Sequence, residues 1–260
     1  MLDAAGYQNI TIYNLYYSGA SLEKHYNWWK NDTKECKLLC QGEIIAEKVN
    51  INDVWSLRQW DYVSFLQASK VYNYTFDEAM NTITPYFGKL LSLAKENAPY
   101  AKIFWQESWA SDIGFTNNFN MDSSEKQEAM ASMIQRVSAQ VSKSYGLPVV
   151  PLSSAWQALR NNEDFLDLAA ARSENLNLDK ITLCTRNING KIDNDYDHDG
   201  DVGGGQYLNA CIFYEMFTGK DCRENNFRPQ YVLNSVDYSL TEAEIVMLQE
   251  AAHNAVHPNN

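Results

Sequence analysis

Residues 60–105, WDYVSFLQASKVYNYTFDEAMNTITPYFGKLLSLAKENAPYAKIFW, decide the fold. The first eight, WDYVSFLQ, are rich in aromatic and branched residues, which predicts a strand; the apolar run suits one buried on both faces. Residues 76–97 repeat apolar positions every three to four residues and predict a long amphipathic helix. Residues 101–105, AKIFW, predict another strand. A strand, a helix of that length and a second strand form a βαβ unit, which places the two strands parallel in one sheet.

The same alternation continues downstream. Residues 122–145 predict a second long helix, capped by Asp122 or Ser123 and closed by Gly146. LPVVPL (147–152) predicts a fourth strand, and Ser153 caps a helix running to Arg160. Upstream, NITIYNLY (9–16) predicts a strand that ends at Ser18-Gly19, and Ser21 caps a helix over 21–29. Residues 1–5 read as a last helical turn closed by Gly6. Residues 31–58 predict a loop or β-excursion, with EIIAEKVNI itself as a hairpin. In parallel sheets ligands bind beyond the carboxyl ends of the strands. Here those ends are Ser18-Gly19, Gln67-Ala68-Ser69, Gln106-Glu107-Ser108 and Ser153-Ser154. Beyond Arg160 the pattern loosens into polar sequence. Regularity returns at residues 206–218, a helix ended by Gly219, and 240–256, a helix capped by Ser239 or Thr241. No domain boundary or internal repeat stands out, so one domain spanning 1–260 is expected.

The composition excludes several function classes. Thirty-three acidic against 21 basic residues give a net charge of −12. A chain so acidic, with no basic cluster, repels phosphate backbones, so nucleic acid is not expected as a partner. No run of about 18 apolar residues predicts a membrane span, and residues 1–9 lack the basic and apolar regions of a signal peptide. The five cysteines include no Cys-x-x-Cys pair and read as ordinary buried or unpaired thiols.

Chemistry concentrates in residues 193–215, DNDYDHDGDVGGGQYLNACIFYE. Nine residues hold five aspartates and one of four histidines. Asp195 precedes His198 by three, a spacing that lets the carboxylate bend back to orient an imidazole as a general base. The alternative is a hard-cation loop: Asp195, Asp197, Asp199 and Gly200 match the first half of a calcium loop. The match stops at Gln206, where such loops carry a bidentate glutamate. A third candidate pairs the Gly19 backbone N–H with the Gln67 side-chain amide as an oxyanion hole. Trp28, Trp29, Trp105 and Trp109 offer flat rings for sugar faces, or else pack in the core. His25 reads as a helix-surface or packing residue, and His253 and His257 as solvent-facing.

The sequence Ser18-Gly19-x-Ser21-Leu22-x-x-His25, then WDYVSFLQAS, AKIFWQESWA, and Asp195-x-x-His198 with GGGQYLNACIFYE, resembles the SGNH (GDSL-type) hydrolases, and within them a poorly characterised bacterial branch. The resemblance runs from residue 1 to about 220. It implies a flavodoxin-like three-layer α/β/α sandwich with a mostly parallel sheet. It also implies hydrolysis of a small-molecule or carbohydrate ester, such as O-deacetylation, by a Ser/His/Asp mechanism without a cofactor. Gly19 matches the second-block glycine that helps form the oxyanion hole. Gln67 takes the third-block position, usually Asn, and Asp195 and His198 match the last-block pair. Asp199-Gly200-Asp201-Val202 fits the same slot with Val in place of His. The first block, a strand and a Gly-Asp/Asn-Ser turn carrying the nucleophile, is absent, so the chain is expected to begin after the catalytic serine and to lack the family's first strand. The alternative function is a non-catalytic glycan-binding or Ca²⁺-stabilised module on a degenerate hydrolase fold. The resemblance also suggests a secreted or periplasmic bacterial protein. It does not indicate an oligomeric state.

Overall fold

The computed structural model describes residues 1–116 and 120–258. It is a mixed α/β fold with a parallel sheet and helices around it, in keeping with the three-layer class. A short 3-10 turn, Asp3–Ala5, is closed by Gly6 in the left-handed conformation. Strand β1 (Tyr13–Tyr16) leads to helix α1 (Leu22–Lys30), whose first turn is capped by the Ser21 hydroxyl accepting from Lys24 N–H. Strands β2 (Cys36–Cys40) and β3 (Glu43–Val49) follow. They form a hairpin turned by Gln41-Gly42, both at positive φ (52° and 86°), the backbone that matches strand twist in a two-residue turn. Helix α2 (Ile51–Trp55) precedes β4 (Tyr62–Leu66).

Helix α3 (Phe76–Asn97) fills the span the periodicity predicts. Thr75 and Glu78 exchange side-chain and backbone hydrogen bonds at its start, a reciprocal cap that satisfies two otherwise orphaned N–H groups. Its buried stripe, Ala79, Ile83, Phe87, Leu90 and Ala94, recurs at helical spacing. Strand β5 (Lys102–Gln106) returns parallel to β4, with Tyr62 opposite Lys102 and Leu66 opposite Gln106. Helix α4 (Ser124–Tyr145) and the two-residue strand β6 (Val149–Val150) complete the order β4-β5-β6.

Three expectations need correction. Strand β4 is not buried on both faces: Phe65 is buried, but Tyr62 and Leu66 are exposed, because β4 ends its sheet while β5 is central. Strand β1 does not join that sheet; it pairs antiparallel with β2 in a separate sheet, β1-β2-β3. Ser153 is no cap. It lies inside helix α5 (Leu152–Arg160), and its buried hydroxyl donates to the Ala131 carbonyl at 3.4 Å.

The stretch after Arg160 is also more regular than its polarity suggests. Helix α6 (Glu163–Leu176) is capped by the Asn162 side chain. Strands β7 (Thr185–Ile188) and β8 (Lys191–Asn194) form a hairpin across Asn189-Gly190. Helix α7 (Gly205–Thr218), a small hairpin of β9 (Val232–Leu233) and β10 (Val236–Asp237), and helix α8 (Glu242–Val256) complete the chain. Thr241 and Glu244 form a reciprocal cap on α8.

The chain divides into two compact units. One comprises Asn9–Ser108 and Arg136–Val149; the other comprises Met1–Gln8, Trp109–Gln135 and Val150–Asn260. In the first, α1 packs on α3 and the core centres on Phe87, which meets Phe65, Trp105 and Tyr145 edge-on. In the second, α5, α6 and α7 all pack on α8, with Trp156, Leu208, Ile212, Ile245 and Leu248 fully buried. All five cysteines are free thiols, and four are buried.

Candidate functional site

The aspartate-rich loop leaves β8 and doubles back on the chain before α7. Its fixed point is the segment at residues 182–185. Gly200 N–H donates to the Leu183 carbonyl at 2.9 Å, and Gly203 N–H donates to the Thr185 carbonyl at 2.8 Å. A Cβ at Gly203 would run into the Thr182 carbonyl oxygen, and Gly204 sits at φ +89°. These glycines permit a backbone-on-backbone approach that a side chain would block. Val202, between them, is fully buried. Arg172 of α6 donates to its carbonyl at 2.9 Å, which ties the loop to the interior.

On this support Asp195, Asp197 and His198 come together. His198 Nδ1 lies 2.8 Å from Asp197 Oδ1 and 3.4 Å from Asp195 Oδ2. His198 N–H donates to the Asp195 carbonyl at 3.2 Å, so the turn itself holds the pair. The Asp195 carboxylate also pairs with Arg186 of β7. The imidazole is half-exposed. Asp199 takes a different place. Its Oδ2 accepts from Asn209 Nδ2 of α7 at 3.2 Å, and burial raises its carboxyl above the usual range. Among the described residues, the ligand-type atoms that converge in this loop belong to Asp195, Asp197 and His198, without Asp199.

Gly19 and Gln67 belong to the other compact unit. Gly19 turns the chain after β1 at φ +64°. Gln67 follows β4 and is buried; its Oε1 accepts the first N–H of α1, from Leu22, at 3.1 Å. Among the described residues its Nε2 reaches only the Ala68 carbonyl, at 3.5 Å, so its donor is weakly engaged. At the end of β5, Glu107 and Ser108 are buried, as is Tyr72, whose phenol is pushed well above its ordinary range by burial.

Trp105 is in the core, with Nε1 donating to Ser138 Oγ at 3.0 Å. Trp109 stacks on buried Trp156, centroids 4.6 Å apart. His25 packs edge-on against Trp28, and burial, aided by Lys24, pulls it down to about 4. His253 and His257 are not simply solvent-facing: both ring nitrogens approach Glu215, a buried residue the sequence does not flag.

No protein-family model matches the chain. No curated protein matches it either. Among solved structures, a DUF4886 family protein from Bacteroides uniformis ATCC 8492 superimposes with a TM-score of 0.74 at 20% identity, covering 99% of this chain and 87% of that one. At that identity the likeness establishes a shared fold. No helix among the described residues is long and apolar enough to cross a membrane.

Proposed function

We propose that the protein is an SGNH-type ester hydrolase acting on a small-molecule or carbohydrate ester, with His198 as general base and Asp195 as its orienting carboxylate. The observation that carries this reading is the contact of His198 Nδ1 with two carboxylates, at 2.8 and 3.4 Å. Carboxylates on Nδ1 favour the tautomer that leaves Nε2 free to take a proton, and they stabilise the imidazolium once it forms. The base would serve an oxygen nucleophile, either a serine hydroxyl giving an acyl-enzyme or water directly.

The test is hydrolysis of p-nitrophenyl acetate and acetylated sugars by the protein. His198→Ala lowers kcat/KM by at least about 100-fold, the usual contribution of a positioned base. Undiminished turnover in His198→Ala would overturn the assignment. A pre-steady-state burst separates serine attack from direct hydration. The second reading, a non-catalytic Ca²⁺-stabilised module, draws on the convergence of Asp195, Asp197 and His198. It predicts no esterase activity and a melting temperature that rises with Ca²⁺ and falls with EDTA.

A further inference from the structure

Helix α8 ends in a second cluster of chemistry-bearing side chains that the proposed hydrolase does not use. His253 and His257 are four residues apart, so they share one face of the helix. Glu215 of α7 faces them. Its side chain is only 1% exposed, against 17% for His253 and 41% for His257. His253 Nδ1 lies 3.1 Å from Glu215 Oε1, and His257 Nε2 lies 3.1 Å from Oε2. The donor atoms of all three residues lie within 4.8 Å of one another.

The Glu215 carboxylate is unevenly satisfied. Oε1 accepts from the Cys222 backbone N–H at 2.7 Å and meets His253 Nδ1. Oε2 is buried and accepts no hydrogen bond among the described residues. The His257 nitrogen is close enough for an ion pair, but it is not aligned to donate. A buried carboxylate oxygen without a donor is costly, and this one lies 3.1 Å from His257 Nε2.

We propose that Glu215, His253 and His257 form a binding site for a divalent transition-metal ion, with Zn²⁺ as its best match. Two imidazoles and one carboxylate are a borderline-soft donor set that suits Zn²⁺ better than Ca²⁺ or Mg²⁺, which prefer oxygen ligands. Ligands about 2.0–2.1 Å from a tetrahedral ion sit about 3.3 Å from one another; His257 Nε2 lies 3.1 Å from Oε2, and His253 Nδ1 lies 3.1 Å from the other oxygen of the same carboxylate. An ion between them satisfies Oε2. The next donor is Asp221, whose Oδ1 lies 3.6 Å from His253 Nδ1. That carboxylate pairs with Arg223.

Arg223 competes with the ion. Its Nη2 lies 3.0 Å from His253 Nε2. A guanidinium donating there requires the His253 proton on Nδ1, the atom the metal needs. Metal binding therefore moves the proton to Nε2 and displaces Arg223, whose side chain is exposed enough to swing towards Glu250.

The test is titration of EDTA-treated full chain with Zn²⁺ against a chromophoric chelator, and with Co²⁺ followed by visible d–d absorption. We expect one equivalent bound at micromolar or tighter affinity. His257→Gln, at the most exposed of the three positions, weakens it at least about tenfold. The His253→Gln/His257→Gln double variant abolishes it with an unchanged circular-dichroism spectrum. Arg223→Gln binds at least as tightly as wild type. Absence of stoichiometric uptake, or uptake unchanged in the double variant, overturns the site. So does loss of uptake in His198→Gln, which would put the ion in the aspartate loop, or loss in Arg223→Gln.

Discussion

Arg172→Met is the substitution that best tests how the candidate loop is held. The Arg172 guanidinium is almost fully buried. It donates from Nε to Glu244 Oε1 at 2.8 Å, from Nη1 to the Tyr238 carbonyl at 3.2 Å and from Nη2 to the Val202 carbonyl at 2.9 Å. Glu244 has a second task, because its Oε2 accepts from Thr241 at the start of α8. Methionine keeps most of the stem volume and removes all three donors. Stranding one member of a buried ion pair costs about 3–5 kcal/mol. Two carbonyls losing their donor add about 1 kcal/mol each at the low end, partly offset because Met needs no desolvation of a charge. A net loss of about 4 kcal/mol follows. At about 2–4 °C per kcal/mol for a chain of this size, the melting temperature falls by about 8–16 °C. Urea unfolding followed by circular dichroism, with wild-type and variant slopes compared, measures it. Replacing both partners, Arg172→Met with Glu244→Leu, recovers part of the loss, since no charge is then left unpaired. A single-variant loss under about 1 kcal/mol would refute the account, because it would mean water reaches Glu244 and the Val202 carbonyl freely.

Two further outcomes follow from the same structure. Gly203→Ala forces a methyl group against the Thr182 carbonyl, so it destabilises by about 3 kcal/mol or more, on the scale of overpacking with backbone displacement; wild-type stability in thermal melts would refute the close approach. His25 is held neutral by burial, with a pKa of about 4 against 6.5 when unfolded. The unfolded chain binds the extra proton, so stability is full above pH 6.5 and is lost as pH falls towards 4, by up to about 3 kcal/mol. His25→Leu flattens that part of the pH–stability curve, and an unchanged slope would exclude His25 as its source.

Much of the framework was legible because local signals agreed. Helix α3 announces itself by a Thr75–Glu78 cap, a 3.6-residue apolar stripe and flanking strand sequence, and all point one way. Helix α6 was hidden because Arg172 and Ser173, polar by type, are buried by tertiary partners that no local pattern reveals. The β7–β8 hairpin did carry a signal: Asn189-Gly190 at φ 55° and 85° is the residue pair such turns favour. It was masked by the surrounding polarity. Of the candidate site, the Asp195–His198 pairing was readable because it spans three residues. The weak engagement of Gln67 Nε2 depends on the loop before α1 and was not readable. The Glu215 cluster joins helices separated by more than twenty residues. Only the four-residue spacing of His253 and His257 was visible in advance.

The unit that holds both candidate clusters is assembled from segments far apart in sequence. Residue Met1 meets the partners that fix it only in the last fifth of the chain: its carbonyl accepts from Asn225 Nδ2 at 3.3 Å, and its sulfur lies 3.8 Å from Cys211 Sγ. At about 5–20 residues per second, the ribosome takes on the order of 10–40 s to deliver them. Through that interval residues 1–8 wait for these two partners. The other unit, drawn from residues 9–149, can close first. Synthesis rate and chaperone occupancy therefore bear more heavily on the unit carrying His198 and Glu215 than on the one carrying Gly19 and Gln67.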